Sequence, residues 1–329
     1  MNKIGRLFQV SLFGESHGEC VGCLIDGCIP GIELNEDDFT SDLKRRKSGA
    51  IGTTPRIEAD EINIKSGVFK GYTTGAPILI EFKNENINSG DYKDFLDTPR
   101  PSHADYTAKI KYNGFNDYRG GGHFSGRLTL GVVSAGVIAK KILKDASFKT
   151  KIINLNGETN EALFVDILRN AEAKRDSVGG ILEIRVNGIE CGLGEPYFDS
   201  LESTISHALF SIGGVKGVEF GAGFSASHIN GSEFNDPIID KDGHTATNNN
   251  GGINGGISNG NELVIRVFIK PTPTIGLPQE VYSFNTGTMK ELKGKGRHDS
   301  AIILRAAVAC EAAVAISLCD AYLINKVYK

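Results

Sequence analysis

Residues 301–324, AIILRAAVACEAAVAISLCDAYLI, form the most apolar stretch of the chain, and Arg305, Glu311 and Asp320 interrupt it. Three charges at those intervals do not suit a lipid-facing span, whereas a helix apolar on nearly every side has to be enclosed by other elements. The stretch therefore predicts a buried or interface helix and no membrane partner. A chain of 329 residues has enough material to enclose it, in one large domain or about two smaller ones.

The enclosing elements can be read from the remaining apolar pattern. Short runs rich in Ile and Val, such as VGCLIDGCI, APILIEFKN, GGILEIRVNGI and ELVIRVFIK, are bounded by Gly, Pro or Asn and predict strands. Apolar positions recurring at three and four predict helices over 35–46, 128–144, 159–174, 200–211 and 300–325. The class is mixed α and β. Gly126-Arg127 and Gly296-Arg297 each precede an Ala-rich helix, which hints at two similar halves, but no linker divides them. One continuous domain over 1–329 is expected.

Several function classes drop out. With 36 basic and 40 acidic residues the chain has a net charge of −4, so it offers no broad attraction to nucleic acid or an anionic membrane. An anionic ligand must be held by local clusters. Neither a GxGxxG between strand and helix nor a GxxxxGK[ST] is present. The amino terminus lacks the apolar run of a signal peptide, which predicts a cytoplasmic protein. Six cysteines do not look like a disulfide framework, and Cys20 and Cys23, spaced by three in a predicted strand, should face opposite ways and bind no metal.

Glycine is over-represented at 41 residues, without a collagen-like period, so many backbone turns are needed. In SLFGESHG, Gly14 and Gly18 flank Glu15, Ser16 and His17 and can turn them toward a ligand. Five more segments carry Arg, Lys or His beside a backbone breaker: KRRKSGAIGTTPR, TPRPSHADY, DYRGGGHFSGR, KPTPTIGLP and KGKGRHDS. Each has a plainer explanation taken singly: Arg45, Arg46 and Lys47 as cations at a helix end, KPTPT as a stiff connector, Asp299 as a helix cap. Together they suit a polyanionic small molecule, because the guanidinium fork matches phosphate and carboxylate, with imidazoles supplying acid–base work near neutral pH.

RLFQVSLFGESHG, RPSHAD, DYRGGG, KPTPTI and GRHDSAIILRAAVACEAA occur in an order that resembles the chorismate synthase family over nearly the whole chain, with GLGEPYFDSLESTISHALFSIGGVKGVEFGAGF and NGGINGGISNGNELVIRVFIKPTPTI between them. The resemblance implies conversion of 5-enolpyruvylshikimate 3-phosphate to chorismate by 1,4-trans elimination of phosphate, in the shikimate pathway of aromatic amino-acid biosynthesis. It implies reduced FMN as cofactor with no net redox change. It implies an α+β fold, a β-α-β layered sandwich with helices between antiparallel sheets, assembled as a homotetramer. Fungal relatives reduce their own flavin with NADPH; this compact chain is similar to the bacterial type, which implies an external flavin reductase.

Matched position by position, the resemblance implies that His17 protonates the departing phosphate, that His103 supports the protonation state of the flavin, and that Asp299 serves proton abstraction near flavin N5. It implies substrate contacts at Arg46, Arg100, Gly126, Arg127 and Arg297. Flavin contacts would fall on His123, Phe124 and Ser125, on Gly213, Gly214 and Gly255, on Lys270, Pro271, Thr272, Pro273 and Thr274, and on Arg297. The stretch RRKSGAIGTT lacks a second anchoring arginine that many family members carry, so phosphate binding passes to Lys47 or to another loop. The alternatives are an FMN-dependent oxidoreductase acting on a small anionic substrate, or an inactive binder of flavin or phosphorylated ligand.

Overall fold

The computed structural model describes residues 2–54, 59–85, 90–292 and 298–328. Two antiparallel sheets form its outer layers. The first has the order β1-β2-β3-β7-β4, from strands Lys3–Ile4, Gln9–Gly14, Cys20–Asp26, Ile78–Lys83 and Asn63–Ile64 respectively. The second has the order β10-β13-β9-β8, from Val215–Phe220, Leu263–Ile269, Gly180–Asn187 and Ser147–Leu155. Small hairpins complete the strands: β5–β6 (Val68–Phe69, Tyr72–Thr73), β11–β12 (Ile253–Asn254, Ile257–Ser258) and β14–β15 (Gln279–Ser283, Thr288–Leu292).

Side chains alternate across each sheet, as a period of two requires. In the first sheet Cys23 pairs with Ile80 and Ile25 with Ile78, and all four are fully buried. In the second, Ile184 pairs with Ile265 and Leu182 with Val267, again fully buried. Cys20 faces the other side of β3 from Cys23, as the odd spacing predicts, and burial pushes the Cys23 thiol up to about 12.

Helices fill the space between the sheets: α1 (Thr40–Arg46), α3 (Thr129–Ile142), α5 (Leu201–Phe210) and α7 (Ile303–Tyr328), with α2 (Asp105–Lys111), α4 (Phe164–Lys174) and the one-turn α6 (Gly231–Phe234) nearer the edges. Helix α3 lies on β3 and α7 lies on β8 and β9, while the two helices pack on each other. Two glycines allow that closeness. A Cβ on Gly131 would meet the Gly22 carbonyl, and one on Gly136 would meet the Cβ of Ala312 in α7. The layers therefore run sheet, helices, sheet, as the resemblance implies.

Helix α7 has the length and apolarity of a membrane span, yet Ala309, Cys310, Ala312, Val314 and Leu318 are all buried inside the protein. Its one carboxylate in the core, Glu311, accepts Arg45 Nη2 at 2.7 Å, Lys140 Nζ at 2.5 Å and Thr150 Oγ1 at 2.6 Å. The charge that breaks the apolar pattern thus joins α7 to α1, α3 and β8. Burial alone would raise this carboxyl, but those hydrogen bonds overcome it and hold it at about 2.

The predicted helices all appear, shortened or preceded by 3-10 turns: 35–46 becomes Glu36–Phe39 followed by α1, and 128–144 becomes Gly126–Leu128 followed by α3. Strands β2, β8 and β10 and helix α2 carry no strong sequence signal.

Candidate functional site

Between the sheets' ends lies a cavity of about 760 Å³. Residues from distant parts of the chain line it, including Arg46, His103, Arg127, Thr272 and Asp299. Gly120, His123 and Phe124 of DYRGGGHF line it too. Gly120, Gly121 and Gly122 have φ of 60°, 83° and 54°, three successive left-handed residues that only glycine tolerates without strain.

That turn brings two imidazoles together. A Cβ on Gly120 would stand inside the ring of His17, and one on Gly121 would lie 3.5 Å from His103 Cε1. Strand β2 ends at Gly14, and the turn that follows is tied to the glycine loop by Ser16 N–H donating to the Gly122 carbonyl at 3.1 Å. His17 is buried directly behind the wall formed by Ser16 and Gly120, with Tyr92 edge-on to its ring at 5.1 Å.

His103 is oriented from behind. Its Nδ1 lies 2.7 Å from Asp105 Oδ1 and 3.1 Å from Arg100 Nη2; the shorter contact, to a carboxylate oxygen that can only accept, favours the proton on Nδ1, with Nε2 turned to Gly121. Asp105 in turn accepts Arg100 Nε and Nη2, each at 2.8 Å, and Arg100 lies over the Phe95 ring at 4.5 Å. Burial would raise the Asp105 carboxyl, but the hydrogen bonds from Arg100 and His103 hold it well below the usual range. Ser102, just before His103, is held at φ 57°, and its carbonyl accepts Lys270 Nζ at 2.7 Å. Burial, with Lys216 nearby, lowers Lys270.

Another part of the lining is cationic. Arg46, at the end of α1, is buried and does not face water as a helix-end cation would. It donates to Thr129 Oγ1 at 2.9 Å, to the Gly126 carbonyl at 3.1 Å and to Asp60 at 3.3 Å. Arg127 shares Asp60 at 2.9 Å and also holds Asn84 and the Lys83 carbonyl. Arg305 completes the group, 3.1 Å from Asp299. Three guanidiniums thus meet two carboxylates. Burial, and then the like charge of Arg305, pushes Arg46 down to about 9, which leaves it charged at neutral pH in a field that favours an incoming anion.

The KPTPT run adds a polar edge. Thr272 and Thr274 are buried and line the cavity with Lys270 and Pro273, while Pro271 is exposed outside it. His123, Phe124, Ser125, Gly126, Gly213 and Gly214 also line it. His123 Nδ1 lies 2.8 Å from the Gly14 carbonyl, which can only accept, so Nδ1 carries a proton. Arg100 stands behind the wall. Gly255 sits in the turn of the β11–β12 hairpin and is not among the lining residues. Arg297 lies outside the described residues.

Asp60, Asn84, Asp105, Thr54 and Arg305 join the site without having been singled out for it in the sequence. Asp105, two positions after His103, and Thr54, within KRRKSGAIGTTPR, had a local signal. The others reach the cavity through pairings that no local pattern encodes.

The sequence matches the chorismate synthase family over residues 8–323. A chorismate synthase of Chitinophaga pinensis is 53% identical, with both chains covered completely. One from Pyrococcus abyssi is 42% identical over 99% of this chain and 98% of its own. A crystal structure of a chorismate synthase superposes with a TM-score of 0.76 at 26% identity, over 98% of this chain and 93% of that one.

Proposed function

The chain belongs to the chorismate synthase family, whose members are lyases, and from that premise we propose that it eliminates phosphate from 5-enolpyruvylshikimate 3-phosphate, in the 1,4-trans sense, to give chorismate, with reduced FMN required and no net redox change. The observation that carries this reading is that one glycine turn brings together His103, which lines the cavity, and His17, directly behind its wall, while Arg46, Arg127 and Arg305 line the same cavity. Phosphate departure needs an anion cradle and a proton donor, and this arrangement supplies both.

The cavity suits a flavin beside the substrate. Its volume of about 760 Å³ lies high in the usual range of roughly 300–1,000 Å³ for small-molecule sites. Thr272 Oγ1 is a buried hydroxyl that meets no hydrogen-bond partner among the described residues, so the edge it lines is short of one polar ligand group. Lys270, Thr272, Thr274 and the backbone of 123–125 and 213–214 would hold the cofactor. When bound, reduced FMN supplies electron density that helps break the C–H and C–O bonds and is then recovered.

The chain's own residues do the rest. Arg46 and Arg127 bind the anionic groups of the substrate, and their positions are set beforehand by Asp60. His17 gives its proton to the phosphate oxygen. His103, with its Nδ1 proton fixed by Asp105, exchanges a proton at Nε2. Asp299, beside Arg305, serves proton abstraction through its carboxylate.

The same reading extends to the assembly. The whole of 1–329 acts as one unit, cytoplasmic and homotetrameric, and draws reduced flavin from an external reductase. Exposure of Tyr197, Phe198 and Phe224 at 86%, 93% and 70% supports association between copies.

The test is an anaerobic assay with reduced FMN and 5-enolpyruvylshikimate 3-phosphate, following chorismate and flavin absorbance together. Chorismate should accumulate without net flavin oxidation. Stoichiometric flavin oxidation would indicate hydride transfer instead, and ligand binding without product would reduce the protein to a binder.

A further inference from the structure

Arg305 enters the sequence as a charge that interrupts an apolar helix, and no part of the functional reading above gives it a task beyond its charge. It stands in the first turn of α7 with its side chain in the cavity wall. Its guanidinium serves two partners at once: Nη1 donates to Asp299 Oδ2 and Nε donates to the Arg46 carbonyl, both at 3.1 Å. The other Asp299 oxygen, Oδ1, accepts the Thr54 N–H at 2.7 Å. Asp299 is therefore gripped at both oxygens, from a helix on one side and from the 48–54 loop on the other.

The loop is itself seated on the Asp299 segment. The Gly52 carbonyl accepts Ala301 N–H at 3.1 Å and Ser300 Oγ at 3.3 Å. A cation placed only to fasten this junction would be better kept away from Arg46, whose charged form it disfavours. Arg305 sits beside Arg46 nonetheless, and its two donated bonds run to the carboxylate on one side and to the guanidinium's own backbone on the other. The contacts fix the spacing between the Asp299 carboxylate and the Arg46 backbone.

We propose that Arg305 is a positioning residue for the reaction: it orients the Asp299 carboxylate against the Thr54 amide and couples it to the Arg46 anion site. This rests on the reading that Asp299 takes part in turnover.

Steady-state kinetics under reduced flavin, with substrate affinity measured by calorimetry, tests it on four proteins: wild type, Arg305→Gln, Asp299→Asn and the double variant. Arg305→Gln is expected to lower kcat by about 10²-fold, as a misplaced reacting group does, with substrate affinity held within roughly threefold. The double variant is expected to fall no more than about threefold below Asp299→Asn alone, because the two residues act as one unit. Arg305→Lys, whose ammonium reaches one partner but not both, should lose roughly tenfold and guards against a Gln variant that does not fold. Losses that multiply in the double variant, or an Arg305→Gln or Arg305→Lys variant within threefold of wild type, would overturn the proposal alone. So would a loss confined to substrate affinity, which would make Arg305 a binding group. A wild-type chain that makes no chorismate would overturn the functional reading, and this inference with it.

Discussion

A single methyl group added at position 120 would occupy the space of the His17 imidazole, and it would do so on a backbone at φ 60° that already disfavours it. Gly120→Ala should therefore cost about 1–2 kcal/mol from backbone strain alone and displace His17 as well. Its activity is expected to fall as far as that of His17→Ala, which a parallel measurement of melting temperature and turnover will show. His17→Ala and His103→Ala should each lose about 10²–10⁴-fold in rate if they move protons; a loss below threefold in both would end that assignment. Asp105→Asn keeps the shape but changes what Nδ1 of His103 meets, so turnover should drop while substrate affinity holds. The types and rough places of His17, His103 and Asp299 were legible because glycines and charges cluster around them in sequence. Asp60, Asn84 and Arg305 were not, since each joins the candidate site only by pairing with a residue distant in sequence.

Helices α1, α3 and α7 meet at Glu311, and their stability should follow its charge. The folded carboxyl lies at about 2 against an ordinary value of 4.5, so its contribution is complete above 4.5 and is lost as pH falls toward 2. Glu311→Gln removes the charge and leaves Arg45 and Lys140 facing an amide. It should destabilise the fold by about 3 kcal/mol at neutral pH, discounted somewhat because Arg45 is partly exposed, and the gap from wild type should close between those pH values. Urea titrations across pH 2–7 check this. Helices were the legible elements, because their apolar spacing repeats over enough turns to stand out. Strand β8 was not, since SFKTKIINL carries lysines on its outer face, and β2 was hidden because it runs directly into the functional turn. Helix α2, at seven residues, is too short for its period to show.

For the molecule as a whole, the two sheets share one helical interior, and that continuity leads us to expect a single cooperative unfolding transition. Far-UV circular dichroism and tyrosine fluorescence should give coincident urea curves, the latter being the available probe because the chain has no Trp. Two separated transitions would mean that the halves fold independently. The layered architecture itself was not legible from residue pattern and entered through the resemblance, because periodicity reveals which faces are buried but not which other face covers them.

Helix α7 follows every strand of both sheets in the chain, yet it lies between them. While the protein is being translated, the buried Leu155 of β8 and Ile184 of β9 emerge from the ribosome well before the helix that packs on those strands. The nascent chain must hold an apolar surface open until its central segment arrives, and that interval is when trigger-factor-like holding by the cell's chaperones would matter most.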